Sequence, residues 1–325
     1  MIEKIKRQID GSDYDFLREN PDLENAIYLT ISGSYGYGTN IGKSDIDLRG
    51  VLVEKPEYIY GLRTFEQFED RVSDTVIYGL KKYINLCINA NPSALELLGT
   101  SPDAIVLQTD AGELIRKNAY LFLSKRVVRS FGNYATAQLR KFLNAICHDH
   151  YSDEEQEVHL SHTLSGQIYH FNQTYEKLGE NGLNIYMNND KILSMDITLK
   201  GYPVRDFAGI YGEMQNTIKT YKKLNHRNRK KDDAHLYKHA MHLIRLLMMG
   251  TDILHGKGII TRRDAEHDFL MDIRNGAYSF DEIREITEKY QKNFGSAADN
   301  TNLPTRPDLS KVEDLMMRIY RKYLP

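Results

Sequence analysis

A Gly-Ser pair followed by two closely spaced aspartates is the feature that most constrains the fold of this chain. Residues 26–31 are β-branched, aromatic or small, so they predict a strand that leads into Gly33 and Ser34. A second strand is predicted over residues 45–53, and it ends before a proline that cannot continue a ladder. Two short strands joined by a glycine-rich turn favour an α/β core.

The residue types in this stretch predict a site for a nucleoside triphosphate. Side chains alternate along a strand, so Asp45, Asp47 and Arg49 are expected on one face. Magnesium prefers oxygen ligands and is usually held by one or two carboxylates together with substrate phosphates. Upstream, Gly33 permits a close backbone approach, and Ser34 offers a hydroxyl and an N–H to a phosphate. The Arg49 guanidinium could clamp a phosphate or pair with an aspartate.

Further along the chain the hydrophobic period changes from strand to helix. Residues 70–78 predict a third strand, and from residue 80 apolar side chains recur every three or four positions until Asn91-Pro92 closes the helix. Beyond about residue 119 helical spacing dominates, except for short β-prone pieces within residues 182–205. We therefore expect a catalytic core over residues 1–118 and a mainly helical domain over residues 119–325, which could supply the acceptor or nucleotide side of the site.

Composition excludes several classes of protein. The chain has 325 residues, a formal net charge of −2 and two cysteines, which argues against global positive charge and against a disulfide scaffold. No apolar run approaches the roughly 20 residues that cross a bilayer, so we expect a cytoplasmic protein with no membrane partner. Basic residues concentrate locally in an acid-free stretch over residues 219–231. Within it, we single out four residues as candidates for RNA binding: Arg227, Arg229, Lys230 and Lys231.

The glycine-rich stretch does not form a Walker loop. That motif needs a glycine five positions before the Gly-Lys-Ser/Thr ending, and Tyr37 stands five positions before Gly42.

Three segments together resemble one protein family. They are Ser44-Asp-Ile-Asp-Leu-Arg-Gly50, Asn91-Pro-Ser-Ala-Leu-Glu-Leu-Leu98 and Lys238-His-Ala-Met-His-Leu-Ile-Arg-Leu-Leu247. With the upstream Gly-Ser turn, they resemble the nucleotidyltransferases of the DNA polymerase beta superfamily, in the branch associated with bacterial RNA repair operons and phages. The resemblance runs from about residue 28 to about residue 290.

This resemblance implies a fold and a cofactor. The fold is α/β (α+β), with a small mixed-sheet core like the polymerase beta palm followed by a mainly helical domain. The cofactor is Mg²⁺, as two ions, with Mn²⁺ as a possible substitute. In the superfamily a later strand supplies a third carboxylate, for which Asp74 is the first choice and Asp70 and Glu69 are rivals.

Three cations in the last segment are further candidates for nucleotide binding. Lys238, His242 and Arg245 fall on one stripe of a predicted helix, opposite an apolar stripe. They could form an ordinary solvated helix face, or they could face a triphosphate.

The expected activity is transfer of a nucleoside monophosphate from an NTP to an acceptor hydroxyl, with release of pyrophosphate. The association with RNA repair favours an RNA 3' end as acceptor, and the basic stretch could follow a phosphate backbone. Two alternatives stay open: an acceptor hydroxyl on a small molecule or protein, and a non-catalytic module that binds nucleotide or RNA.

Overall fold

The structure is a computed structural model, and it describes most but not all of the chain. The described residues are 2–42, 44–132, 134–135, 138–139, 157–158, 160–161, 164, 183–190, 192–227 (backbone only for 220–227) and 233–324.

A five-stranded mixed sheet forms the centre of the first part of the chain. Its strands are β1 (Ala26–Ser32), β2 (Asp47–Leu52), β3 (Gln67–Asp70), β4 (Thr75–Gly79) and β5 (Ile105–Gln108). The strand order is β3-β4-β2-β1-β5. The pair β2 and β4 is parallel, whereas the other three neighbouring pairs are antiparallel. The predicted fold class, a mixed-sheet core accompanied by helices, is confirmed.

Two of the predicted strands differ in extent from the observed ones. The strand expected over residues 45–53 begins only at Asp47, so Asp45 lies in the preceding connection. The single strand expected over residues 70–78 is two strands, β3 and β4, separated by a turn. The Asp70 carboxylate accepts hydrogen bonds from the backbone N–H and the hydroxyl of Ser73, at 2.9 and 2.5 Å. An aspartate that bonds the backbone in this way favours a turn over a continuous strand.

Helices surround the sheet and fill the C-terminal part of the chain. Within residues 2–118, the α-helices are α1 (Ile2–Ile9), α2 (Phe16–Glu19), α3 (Gly33–Tyr37), α4 (Pro56–Ile59), α5 (Leu80–Ile88), α6 (Pro92–Leu98) and α7 (Asp110–Lys117). Residues 126–132 are also helical. The later helices are α8 (Val204–Arg227), α9 (Asp233–Leu254), α10 (His267–Arg274), α11 (Phe280–Asn300) and α12 (Leu309–Tyr323). Short 3₁₀ turns lie at Ser12–Tyr14, Pro21–Leu23, Pro102–Ala104 and Ala119–Phe122.

The core forms because the apolar side chains of the strands and helices face one another. On one face of the sheet, side chains of α1 pack with those of β1, β2 and β4; the buried members of this cluster are Ile5, Ile9, Tyr14, Leu23, Leu29, Ile31, Leu48, Leu52, Ile77 and Ala104. Burial of this much apolar surface is the main stabilising term for the sheet.

Helix α9 is buried more completely than an amphipathic pattern predicts. The expected apolar stripe is buried, comprising Leu236, Ala240, Leu243, Ile244 and Leu247. The opposite stripe is not uniformly solvated, because Arg245 has 0% exposure. A buried charge needs a partner, and that requirement leads to the site described below.

The chain divides into two compact units that do not follow the boundary expected after residue 118. One unit comprises Met1–Ala137 and Ala240–Pro325, and the other comprises Gln138–His239. The C-terminal helices therefore pack into the unit that contains the sheet. Their contacts join residues far apart in sequence: the Tyr320 hydroxyl in α12, for example, donates to the Glu54 carboxylate at 2.8 Å. The boundary expected after residue 118 follows the loss of the strand pattern, and that pattern does not reveal that the C-terminal helices return to pack in the unit with the sheet.

The second unit contains a β-hairpin within residues 182–205, where the sequence predicts short β-prone pieces. Strands β6 (Leu183–Met187) and β7 (Leu193–Ile197) pair in antiparallel fashion. They have a small apolar core of their own with residues of α8, comprising Leu160, Leu164, Leu183, Ile185, Ile210 and Met214.

Among the described helices of the whole chain, none combines the length and apolar character that a bilayer crossing requires.

Candidate active site

The Gly-Ser turn and the second aspartate are brought together by the pairing of β1 with β2. These strands are antiparallel neighbours, and Ser32 lies opposite Asp47 in their register. Helix α3 begins at Gly33, immediately after Ser32, so its first backbone N–H groups lie at the same end of the sheet as Asp47. The first N–H groups of a helix have no partner within the helix and can receive an anion. The residues between the Gly-Ser turn and Asp47 thus form one short helix, α3, and the loop that returns the chain to β2.

Gly33 is required by the position of the Asp47 carboxylate. Its φ is +57°, in the left-handed region that favours glycine. A Cβ built on Gly33 would lie 1.7 Å from Asp47 Oδ2, a distance that no two such atoms can share. The space that a side chain would fill is therefore occupied by an aspartate oxygen, which keeps the carboxylate beside the start of α3.

Arg49 joins two of the three predicted carboxylates. Its Nη2 lies 2.9 Å from Asp74 Oδ1 and 3.7 Å from Asp47 Oδ1. It also donates through Nη1 to the backbone carbonyls of Asp74 and Leu48, the latter at 2.8 Å. Asp47 and Arg49 therefore share a face, as strand parity predicts. Of the two roles considered for Arg49, pairing with an aspartate is present, and a phosphate contact stays a prediction.

Asp74, the first choice for the third carboxylate, lies immediately before the strand next to β2. It precedes β4, the parallel neighbour of β2, and its carbonyl accepts from the Leu48 N–H at 3.2 Å. Its φ is +46°, a left-handed conformation that aspartate tolerates better than most residues. Asp70 and Glu69 lie on β3, one strand further from β2.

The two rivals also have other contacts. The hydrogen bonds from Ser73 hold the pKa of Asp70 below its usual value. The Glu69 carboxylate accepts from Arg71 at 3.1 Å. Placement therefore favours Asp74 as the third carboxylate, and its role as a ligand stays a prediction.

The donor set at this edge of the sheet fits magnesium. All the candidate ligands are carboxylates, and the side chains of Asp47 and Asp74 are 24% and 54% exposed, so both can be reached from solvent. Asp45 is exposed in the connection before β2. In the described part of the chain, no three acidic, histidine or cysteine side chains already form a metal cluster. Magnesium does not need such a cage, because phosphates and waters complete its coordination.

A second group of charged side chains lies buried behind the Gly-Ser helix. Arg245 Nη2 lies 2.6 Å from Glu96 Oε1, and both residues are almost completely buried. The Tyr37 hydroxyl, from the last residue of α3, donates to Glu96 Oε2 at 2.7 Å. The guanidinium carbon of Arg245 lies 3.5 Å from the centre of the Tyr37 ring. We call these three residues, with His242, the buried charge cluster.

The cluster is electrostatically balanced. Burial disfavours the Glu96 carboxylate, but the charge of Arg245 and the hydrogen bonds outweigh it and hold the pKa of Glu96 below its ordinary value. Burial and the nearby carboxylate raise the pKa of Tyr37, so its hydroxyl stays protonated and donates. Arg245 Nε and Nη1 have no hydrogen-bond partner among the described residues. The Tyr37 ring face supplies a cation–π contact to that guanidinium instead.

The cations predicted on the third segment therefore have different surroundings. Arg245 is turned toward Glu96 and not toward solvent. His242 is half-buried, and its Nδ1 lies 3.3 Å from Arg245 Nη2. Lys238 is exposed and belongs to the second compact unit. Their roles in nucleotide binding stay predictions.

Reasoning from the sequence missed Tyr37 and Glu96. Glu96 stands inside one of the segments that carry the family resemblance, and Tyr37 lies between the Gly-Ser turn and the first of them, but nothing in their local pattern signals that they meet. A charged residue within the apolar run Ala-Leu-Glu-Leu-Leu was the one available sign for Glu96.

The basic stretch lies partly outside the described residues. Arg227 is the last residue of α8, where the backbone alone is described. Arg229, Lys230 and Lys231 lie outside the described part of the chain.

Comparison with known proteins gives one family match. Residues 6–160 match the family model RlaP, described as the RNA repair pathway DNA polymerase beta family. The match includes the Gly-Ser turn, the three candidate carboxylates and Glu96, and it ends before the segment that contains Arg245. No curated protein matches the chain. The resemblance expected from the sequence is confirmed over the matched residues.

We expect Gly33→Ala to displace the Asp47 carboxylate. The added Cβ overlaps Asp47 Oδ2 and forces alanine into a left-handed conformation, which costs about 1–2 kcal/mol before any rearrangement. The matched control is Gly42→Ala in the same loop, where a Cβ meets no atom within 4 Å. Thermal unfolding and Mn²⁺ titration followed by electron paramagnetic resonance should show losses for Gly33→Ala alone. Equal behaviour of the two variants would contradict the placement of Asp47.

We expect Glu96→Gln to destabilise the protein by about 3–5 kcal/mol, because it leaves the Arg245 charge buried without a counter-charge. Denaturant unfolding at neutral pH measures this loss. The double variant Glu96→Met/Arg245→Met should be less destabilised than Glu96→Gln alone, because it removes both charges. The control is Glu113→Gln, which breaks an exposed pair with Lys117 and should cost under about 1 kcal/mol.

The effect of Glu96→Gln should depend on pH with a defined sign. Because the folded pKa of Glu96 is depressed, its carboxylate stabilises the fold above the ordinary glutamate pKa. That contribution is lost as pH falls through the depressed value. The difference in stability between wild type and Glu96→Gln should therefore shrink toward acidic pH, and a difference that grows would contradict the assignment.

Proposed function

Because residues 6–160 of this chain match the model of the RNA repair pathway DNA polymerase beta family, we propose that the protein is a metal-dependent nucleotidyltransferase that acts on RNA. The observation that carries the proposal is the meeting of the Gly-Ser helix start with Asp47, Arg49 and Asp74 at one end of the sheet. The family match supports a nucleotidyltransferase-like function in RNA repair. The substrate, the acceptor and the metal are our inference.

The proposed reaction is transfer of a nucleoside monophosphate. The acceptor hydroxyl oxygen attacks the α-phosphorus of an NTP, the bond from that phosphorus to the oxygen bridging to the β-phosphate breaks, and pyrophosphate leaves. The hydroxyl proton passes to water. Such transfers depend on positioning and charge neutralisation more than on covalent help from the protein.

The carboxylates would bind the metal ions, and the start of α3 would bind a phosphate. Asp45, Asp47 and Asp74 would hold two magnesium ions, or manganese in their place. When bound, the ions neutralise the triphosphate and lower the pKa of the acceptor hydroxyl. The N–H groups at Gly33 and Ser34 would receive a phosphate, because they begin a helix and have no partner within it.

The cations have two kinds of role in this proposal. Arg49 lies 3.7 Å or less from both Asp47 and Asp74, so it can orient them and can reach a phosphate held there. The buried position of Arg245 favours support of Tyr37, and hence of α3, over direct contact with the nucleotide. Lys238 and His242 stay candidates for contact with the triphosphate.

We favour an RNA 3' end as the acceptor. The acid-free basic stretch over residues 219–231 supports this choice, because lysines and arginines bind phosphate backbones without sequence preference. A hydroxyl on a small molecule or protein is the alternative, and indifference of the protein to RNA would favour it.

Transfer of label tests the activity. Incubation with each NTP labelled at the α-phosphate, with magnesium and a panel of RNA ends, should label RNA. The variant Asp45→Ala/Asp47→Ala should give only background label, whereas Asp299→Asn, an exposed acid on α11, should match wild type. Equal labelling by wild type and the double variant would contradict the mechanism. The mass of the labelled product identifies the base and the acceptor together.

Salt dependence tests RNA binding by the basic stretch. The triple variant Arg227→Gln/Arg229→Gln/Lys230→Gln should weaken RNA binding and leave NTP binding intact. If each cation contacts one phosphate, the slope of log K against log salt should fall by about 2 for single-stranded RNA. The control is Lys311→Gln/Arg318→Gln/Lys322→Gln on exposed positions of α12. An unchanged slope in the first variant would show that the stretch is only solvated surface.

A further inference from the structure

The loop that carries Asp45 is anchored by side chains from a distant part of the chain. It runs from Gly38, which ends α3 in a left-handed conformation with φ of +74°, to Asp45 before β2, and its described residues are 38–42 and 44–45. Asp45 is exposed and stands outside the strand, so the sheet ladder does not fix its position. Some other contact must hold the loop if Asp45 is to share a metal with Asp47.

Arg274 supplies the main anchor. It is the last residue of α10, and it is 7% exposed. Its Nη1 donates to the Thr39 carbonyl, and its Nη2 lies 3.5 Å from Ser44 Oγ, within hydrogen-bond reach. One guanidinium therefore contacts both the beginning and the end of the loop.

Ser44 links the Arg274 contact to Asp45, the next residue in the chain. Its Oγ accepts a hydrogen bond from the Ile41 N–H at 2.9 Å, and its own N–H donates to the Ile41 carbonyl at 2.9 Å. The end of the loop is thus closed on itself and tied to Arg274 immediately before Asp45. At the other end, His267 Nε2 lies 3.0 Å from the Gly38 carbonyl.

Burial of Arg274 has no ion pair to offset it in the described part of the chain. Arg263, by comparison, lies 2.6 Å from Asp252. Burial lowers the pKa of Arg274, which means that the protein bears the cost of a desolvated cation at this position. Its hydrogen bonds in the described part of the chain go to loop oxygens, so the buried guanidinium maintains the geometry of the loop.

We propose that Arg274 is a positioning residue that fixes the loop of residues 38–45 and so presents Asp45 beside Asp47. This inference rests on the proposed function, in which Asp45 is a metal ligand. Arg274 lies outside the matched residues 6–160, so the C-terminal helices of the first unit complete a site that the family segment begins.

The test compares three variants with a matched control. Arg274→Met keeps the length of the side chain and removes the donors, Arg274→Lys keeps a cation and a donor, and Ser44→Ala removes the hydroxyl at the end of the loop. The control is Arg284→Met, since Arg284 is 46% exposed and pairs with Asp281 on the surface of α11.

Kinetics give the first readout. For Arg274→Met we expect kcat to fall about 100-fold, as small displacements of reacting groups can cause, with little change in KM for the NTP. Arg274→Lys should recover part of kcat, Ser44→Ala should show a smaller loss, and Arg284→Met should match wild type. A kcat of Arg274→Met equal to that of wild type would overturn the proposal. If Arg274→Met does not fold, the other two variants decide, and an unchanged kcat in both Arg274→Lys and Ser44→Ala would overturn it.

Two readouts do not depend on catalysis. Hydrogen exchange of the amides of residues 38–46 should quicken in Arg274→Met and Ser44→Ala while the thermal midpoint of Ser44→Ala stays unchanged. The affinity for Mn²⁺, measured by electron paramagnetic resonance, should weaken in the same variants. If wild type transfers no nucleotide, the proposed function fails, and these two measurements still decide whether Arg274 orders the loop. Unchanged exchange and unchanged Mn²⁺ affinity would show that it does not.

Discussion

The buried pair of Glu96 and Arg245 is the interaction on which the arrangement of the active site depends. Removing two charges from water is costly, and their mutual attraction offsets that cost only when they meet with good geometry. Here the carboxylate receives Arg245 at 2.6 Å and the Tyr37 hydroxyl at 2.7 Å. The pair therefore specifies one position for the end of the Gly-Ser helix relative to α6 and α9.

The Gly-Ser helix is supported at its C-terminal end. Its last residue, Tyr37, belongs to the buried charge cluster, and the loop held by Arg274 and His267 begins at the next residue. At its first residue, Gly33, an aspartate oxygen takes the place of a side chain. Flexible loops often carry functional residues on a rigid scaffold. In this protein the scaffold comes from the sheet and from helices near the C-terminus together.

Sequence reasoning failed at the ends of elements for a common physical reason. Residues 70–78 include β-prone residues, among them Val72 and Thr75 to Tyr78, but the Asp70 side chain bonds the Ser73 backbone and makes a turn, which the β-prone residues do not reveal. Asp45 continues the strand pattern of the sequence, yet the pairing of β2 with β1 begins at Asp47, which lies opposite Ser32. Parity was right for Asp47 and Arg49, because both lie within the paired part of the strand.

The sequence by itself determined the local parts of this protein: strands β1 and β2, the Gly-Ser turn, the aspartates, the helical period after residue 80 and the family of the segment that contains them. These follow from short-range spacing and propensity. Tertiary structure alone decided that Glu96 meets Arg245, 149 positions later, and that Arg274 reaches Thr39 across 235. Such contacts depend on how the chain returns through space, and burial then makes them strong constraints because a buried charged group needs an opposite charge or hydrogen-bond partners.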